Sequence, residues 1–461
     1  MVFSSITFLF YFLPVVLAIY YLVPKKCKNI VLLISSLVFY FYGEPKYTIL
    51  MLFSIVCTYF FGLLIDKYKK HSKLFLILSI IVSIGMLVYF KYINFIIQNI
   101  NLWLTNKIDF IYVVLPIGIS FYTFQMISYI IDVYRGQAKV QKNILKLAMY
   151  VSLFPQLIAG PIVRYTTVEE QIESRSHTFE KFALGVKKFI IGLGKRVLIA
   201  NVLGELTAVF LASKEMSVLY YWLYGIAAML QIYFDFSGYS DMAIGLGKMF
   251  GFDFLENFNY PYIATSITDF WRRWHISLSS WFRDYIYIPL GGNRVSKLKG
   301  FRNILIVWML TGLWHGAAWN FILWGLFFGI LLIIEKLFLE DFLKKLPKVL
   351  SRIYVLVTVM ISFIIFNGES FSQIGQNIGG LIGIGDVPLV SRESIYYLKS
   401  YLVVILVGIV GSTPILKNIV NNIKTKKIIN FVEPIFLLAI LLICTSYIVD
   451  GSFNPFLYFR F

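Results

Sequence analysis

The chain has 461 residues, of which 59% are hydrophobic and 14% charged, and its mean hydropathy is +0.77. Soluble globular chains carry about 25% charged residues, so a water-soluble globular protein is excluded and an integral membrane protein is indicated. The net charge of +18, from 42 Lys and Arg against 24 Asp and Glu, fits basic loops facing anionic headgroups. Those basic residues are scattered among short loops and form no single stripe, which argues against nucleic-acid binding.

Apolar runs of bilayer-spanning length recur along the chain, as helices require. Short alternating segments of the β-barrel kind are missing, so helices remain the way to satisfy the backbone in lipid. Predicted spans in chain order are 4–23, 29–43, 47–65, 74–98, 111–134, 143–160, 183–211, 218–249, 303–318, 320–339, 350–366, 396–412 and 430–449. The expected fold class is an all-α polytopic membrane protein of about 11–13 spans, with re-entrant or interfacial helices. The first run, Ser4 to Val23, lacks a basic leader and a small-residue cleavage site and reads as a retained span. Lys25, Lys26 and Lys28 follow the first span, Lys67, Lys69, Lys70 and Lys73 the third, and Arg135, Lys139, Lys142 and Lys146 the fifth. Basic loops after odd-numbered spans place those loops in the cytoplasm and the N-terminus outside. Lys417, Lys424, Lys426 and Lys427 before the last span put the C-terminus outside as well. Cys27, Cys57 and Cys444 show no metal-like or disulfide spacing and read as structural thiols.

The chain reads as one transmembrane domain, with scaffold spans over 1–150, a core over 151–340 and further spans over 341–461. The core differs in kind. Its apolar runs are broken by Pro161, Pro261, Pro289 and Gly291-Gly292, and interrupted segments at membrane depth line cavities rather than face lipid. No internal repeat is visible, which argues against a secondary transporter.

Three of the four histidines lie in this core, His177 in a polar loop and His275 and His315 in Trp-rich apolar stretches. An ionisable group in an apolar run is costly and marks a pathway or a reacting group. His315 sits in TGLWHGAAWN, bracketed by Gly312 and Gly316, which allow another backbone or a substrate to come close. Asn320, five residues on, is a candidate polar partner. The alternative is a neutral imidazole packed between Trp314 and Trp319. His275 sits in DFWRRWHIS and leads toward Ser277 and Ser279. On one continuous helix, Trp271, Trp274, Leu278 and Trp281 share a face. That piece either lies at the interface with its Trp and Arg residues among headgroups, or presents Arg272, Arg273, Arg283 and Arg294 to an anionic donor. Asp235 and Asp241 in YFDFSGYSDMA are six apart and do not share a helix face. A glycosidase-like pair is thereby disfavoured, leaving neutralisation of a buried Arg or helix capping. No Walker loop, GxSxG elbow, HExxH or metal-ligand pattern occurs.

Four segments, LIAGPI at 157–162, DFSGYSDMAIG at 235–245, DFWRRWHISLSSWFRDYIYIPLGGNR at 269–294 and GLWHGAAWNFILWG at 312–325, together resemble the membrane-bound O-acyltransferase family. Within it they resemble the bacterial alginate O-acetyltransferase branch, and the likeness extends to the FNPFLYFRF ending. The D-alanylating branch, which modifies teichoic acids, lacks the IPLGGNR continuation seen at 288–294. The resemblance implies a helical fold around a central tunnel, His315 as the family's catalytic histidine and His275 as its second. Residues expected to contact the donor or line the tunnel are Arg272, Arg273, Trp274, Ser279, Arg283, Trp314, Asn320, Asp235 and Asp241. It implies acetyl-CoA as donor with no bound cofactor, an extracytoplasmic SGNH-hydrolase-like acetyltransferase or acceptor protein as partner, a polysaccharide biosynthesis complex, and residence in the cell membrane. The other classes open to such a chain are a transporter or flippase, and a scaffold for polysaccharide export.

Overall fold

The computed structural model describes residues 1–422 and 426–450; the FNPFLYFRF ending and Lys424 lie outside them. Among the described residues there is no β-strand. Helices follow one another as α1 (Thr7–Leu22), α2 (Lys28–Gly43), α3 (Pro45–Lys67), α4 (Lys69–Ile100), α5 (Ile119–Arg135), α6 (Ile144–Ser152), α7 (Phe154–Leu157), α8 (Tyr165–Glu173), α9 (Phe179–Gly194) and α10 (Val202–Ala212). They continue as α11 (Val218–Met249), α12 (Ile267–Arg273), α13 (Ile276–Phe282), α14 (Lys297–His315), α15 (Trp319–Lys345), α16 (Lys348–Asn367), α17 (Phe371–Leu381), α18 (Arg392–Gly411) and α19 (Ile429–Val449). Six of these, α3, α4, α15, α16, α18 and α19, are long and apolar enough to cross a membrane. The chain is thus an all-α multi-pass membrane protein. The 32-residue α11 is as long as α4, but Asp235, Asp241 and Lys248 make it more polar.

The expected span 143–160 is not one helix. It stops after Ser152 and restarts as the four-residue α7, because Pro155 has no N–H to continue the ladder and is accepted only in a first turn. The freed N–H of Phe154 donates to Ser36 Oγ at 3.1 Å. The predicted span 111–134 is likewise helical only from Ile119.

Two compact units emerge, one holding 1–189 and 240–255, the other 190–239 and the chain from 256 on. In the first, α9 meets α11 at glycine: a Cβ on Gly245 would stand 2.6 Å from the carbonyl oxygen of Gly185. Also there, Lys188 pairs with Asp241 at 3.3 Å. In the second, a Cβ on Gly238 would stand 2.7 Å from the Gly192 carbonyl oxygen. Each pair lies seven residues from the other on its helix, two turns along, so the backbones touch where a side chain would hold them apart. A π turn at Lys195–Asn201 joins α9 to α10 and carries Arg196, whose buried guanidinium pairs with Asp235 at 3.2 Å. A charge at such a depth is tolerable only when paired. Neutralising a buried arginine is therefore what Asp235 does in the fold.

Substitution at the crossings should be costly. Gly238→Leu and Gly245→Leu should each lower the melting temperature of the detergent-purified protein, by the equivalent of about 1–3 kcal/mol or more of overpacking. Gly300→Ala in α14, where a Cβ meets nothing within 4 Å, should be neutral or stabilising by up to ~1 kcal/mol. Equal behaviour of the three variants would show that the crossings are not tight.

Candidate active site

The second unit contains both His275 and His315. His315 is the last residue of α14, where the helix stops ahead of extended Gly316 and Ala318 and the chain turns into α15. The hairpin is close because glycines face backbone: a Cβ on Gly312 would strike the Phe321 carbonyl, and one on Gly325 the Trp308 carbonyl. A Cβ on Gly316 would strike the Phe321 ring. Of the two openings expected of these glycines, what they admit is the following helix. His315 is 4% exposed, with ring centroids of Trp314, Trp324 and Phe366 at 5.1, 5.0 and 5.3 Å. Trp319 is about half exposed, at 52%. Asn320 is not seen bridging to His315; its amide donates to the Phe366 carbonyl at 2.9 Å, closing the last turn of α16.

His275 occupies a different kind of position. The single helix expected through Trp271, Trp274, Leu278 and Trp281 is broken between α12 and α13, with Trp274 extended and His275 left-handed at φ 44°. A left-handed non-glycine residue costs energy that its surroundings must hold in place. Here the strap 257–259 does so. The Ile276 N–H donates to the Asn257 carbonyl at 3.0 Å, and the Asn259 N–H to the Arg273 carbonyl at 2.9 Å. The Asn257 side-chain oxygen accepts from the Ser277 N–H at 3.1 Å and hydroxyl at 2.9 Å, and lies 3.2 Å from His275 Nδ1. All four tryptophan-face residues are buried nonetheless, since the break lets each short helix turn its own apolar side inward. His275 is 1% exposed, and burial pushes its imidazole down to about 3, so the ring is neutral near pH 7. Its Nε2 makes no hydrogen bond among the described residues.

Trp314 joins the two histidines. Its ring centroid lies 6.0 Å from that of His275 and 5.1 Å from that of His315, so imidazoles 40 residues apart flank one indole. Trp274 packs among Phe258, Phe270 and Phe363. Ser279 is half-buried, its N–H donating to the His275 carbonyl at 3.0 Å. The arginines divide. Arg273 is paired with Asp269 at 2.9 Å and Arg283 with its neighbour Asp284 at 2.6 Å. Arg272 is exposed, with no hydrogen bond or ion pair among the described residues. No three His, Cys, Asp or Glu side chains among the described residues are grouped to hold a metal.

Residues 34–374 match the model of the membrane-bound O-acyltransferase family. The chain belongs to that family. This membrane-bound O-acyltransferase is 42% identical to the probable alginate O-acetylase AlgI of Azotobacter vinelandii, over 89% of this chain and 85% of that one. It is 33% identical to the peptidoglycan O-acetyltransferase of Helicobacter pylori, over 98% and 90%. It is 32% identical to the teichoic acid D-alanyltransferase of Bacillus subtilis, over 55% and 69%. The chain is accordingly an acyltransferase, nearer to the acetylating relatives than to the D-alanylating one.

Three functional-looking residues escape the sequence reading. Asn257 gives only a weak signal, as a polar residue between aromatics ahead of Pro261. Trp324 is one aromatic among many. Glu335 was legible: it is an acid inside the predicted span 320–339, and such acids need a partner. It is 1% exposed, at a π turn in α15, and its carboxylate accepts from the N–H groups of Ile267 and Thr268 at 2.6 and 2.9 Å and from the Thr268 hydroxyl at 2.8 Å. A carboxylate at a helix start meets its open N–H groups and its dipole, which anchors α12. Glu335→Ala should destabilise the protein by roughly 2–5 kcal/mol, since at least two buried donors lose their acceptor at about 1–3 kcal/mol each. Glu335→Gln should recover part of that on thermal unfolding in detergent. An unchanged melting temperature for Glu335→Ala would sink this anchoring role.

Proposed function

We propose that this acyltransferase transfers acetyl groups from a cytoplasmic thioester donor for O-acetylation of an extracellular polysaccharide or cell-wall glycan. The observation that carries the reading is the pair of buried imidazoles on either side of Trp314 in a member of a family with acetylating relatives. His315 serves as general base, taking the proton of the attacking hydroxyl, a contribution of roughly 10²–10⁴-fold. The hydroxyl oxygen forms the new bond to the acetyl carbon, the carbon–sulfur bond breaks, and the thiolate recovers the proton. Trp324 supplies the oxyanion donor: its indole N–H is buried beside His315 with no acceptor among the described residues, so it is free for charge that develops only in the transition state. A tunnel through the bundle, as the family resemblance implies, gives donor and acceptor access from opposite sides. The acceptor is either the glycan or a serine of an extracytoplasmic SGNH-hydrolase-like partner within a polysaccharide biosynthesis complex. The basic loops after α1 and α3 support an orientation in the cell membrane with both termini outside. D-alanyl transfer is the second reading, supported by the Bacillus subtilis relative.

His315→Ala should reduce glycan acetate in membranes by at least about 100-fold, with the amount of membrane-inserted protein near wild type. Trp324→Phe, which keeps the ring and loses the N–H, should cost roughly 10²–10³ in kcat. Acetate near the wild-type level in His315→Ala would remove the histidine from the base role.

Acetyl-CoA is the proposed donor and Arg272 the proposed contact for its phosphates, a reading supported by Arg273 and Arg283 already holding carboxylates. A charge-assisted contact contributes about 1.5–3 kcal/mol, so Arg272→Gln should raise the KM for acetyl-CoA about 10–100-fold with kcat little changed. The same change at Arg283 should do less. Equal, negligible effects at both would place the donor's phosphates elsewhere.

A further inference from the structure

The contacts at the His275 bend bear on which of its ring nitrogens carries hydrogen. The backbone N–H of Ser277 can only donate, and it meets the Asn257 carboxamide at 3.1 Å, so the atom it meets is the oxygen. The Ser277 hydroxyl stands 2.9 Å from the same oxygen and 3.4 Å from His275 Nδ1, so its hydrogen goes to the nearer acceptor, the Asn257 oxygen. An amide oxygen has no hydrogen to give. Its 3.2 Å approach to His275 Nδ1 is therefore a hydrogen bond when Nδ1 is the protonated nitrogen, and the opposite ring flip would set a carbon against it. A neutral imidazole holds one N–H, so Nε2 keeps a lone pair.

We propose that Asn257 is a positioning residue that holds His275 as the Nδ1–H tautomer and thereby makes Nε2 a hydrogen-bond acceptor in the acyl-transfer site. The inference rests on the reading of His275 as part of that site. It separates two roles open to this histidine. A donor could stabilise negative charge on the acetyl carbonyl oxygen; an acceptor cannot, but it can orient a hydroxyl for attack. The neutral Nε2 is of the second kind, which leaves the oxyanion to another group. The surroundings hold the arrangement: Phe236 stands edge-on to the ring at 4.6 Å, Trp314 lies at 6.0 Å, and His275 and Asn257 are each 1% exposed. Phe236, Trp314, Asn257 and Ser277, which face the imidazole, are all uncharged.

The test is nitrogen NMR of the full-length protein, purified in detergent with ring-labelled histidine. The His275 signals are identified by their loss in His275→Gln, which is straightforward among four histidines. The wild type should show a protonated Nδ1 and an unprotonated Nε2 near neutral pH. In Asn257→Ala the preference should collapse to a mixture of tautomers, and kcat should fall roughly 10- to 100-fold, the range for lost orienting partners of metal-bound histidines. Donor KM should change by no more than about twofold. Asn257→Asp keeps an acceptor and should keep the tautomer, but its carboxylate favours the imidazolium. Protonation would then occupy Nε2 at a higher pH than in the wild type, so activity should be lost at a higher pH as the solution is acidified. A role confined to holding the strap would move neither tautomer nor pH profile. A protonated Nε2 in the wild type, or an unaltered tautomer in folded Asn257→Ala, would overturn the proposal. Should Asn257→Ala fail to fold, the wild-type spectrum and Asn257→Asp still decide it. The spectrum needs no turnover, so its outcome is independent of whether the chain transfers acetyl.

Discussion

Where a helix stops in apolar surroundings, each N–H and C=O it releases must find a partner inside the protein, because no water is there to accept it. The interrupted core depends on that constraint. At the break before α13 the partner is Asn257 with its backbone. At the start of α12 it is the Glu335 carboxylate. At the end of α16 it is the Asn320 amide, and at the turn that ends in Gly291-Gly292 it is Asn303, which donates to the Leu290 carbonyl at 2.9 Å. The first unit repeats the device, with Ser36 serving Phe154 and Gln156 donating to the Tyr150 carbonyl. Buried polar residues that look catalytic in a hydrophobic sequence are, in most of these places, what allows the chain to bend.

The bends in turn set the histidines. His315 stands where α14 ends, and His275 stands in a left-handed residue between two short helices. Neither lies in the middle of a long helix, where an imidazole would be confined to that helix's own face. Aromatic rings then surround both, leaving the imidazoles among edges and faces of tryptophan and phenylalanine. For His275 that burial disfavours the charged ring. The charged residues of the same region are committed elsewhere: Arg196 to Asp235, and Glu335 to a helix start. The buried imidazoles are thus kept apart from Arg196 and Glu335, whose buried charges are matched by their own partners.

Much of this was legible in the residues. Hydropathy and the length of the apolar runs determine a helical membrane protein, because lipid leaves the backbone few other solutions. The scarcity of histidine in a hydrocarbon-rich chain singles out His275 and His315, since an ionisable group at depth is too costly to keep without use. The pairing of Asp235 with a buried arginine follows from the same cost, although Arg196 itself is not distinguishable in sequence from the other basic residues. What the tertiary structure alone decided is everything that depends on contacts between distant segments. The period of Trp271, Trp274, Leu278 and Trp281 suits one helix. It breaks because Asn257, some 18 residues from His275, offers the backbone a better set of hydrogen bonds there. Gly312 and Gly316 leave space, but sequence cannot say that α15 fills it. The placing of two imidazoles against Trp314, and the hydrogen that His275 carries on Nδ1, follow from geometry between chain segments, which local pattern does not encode.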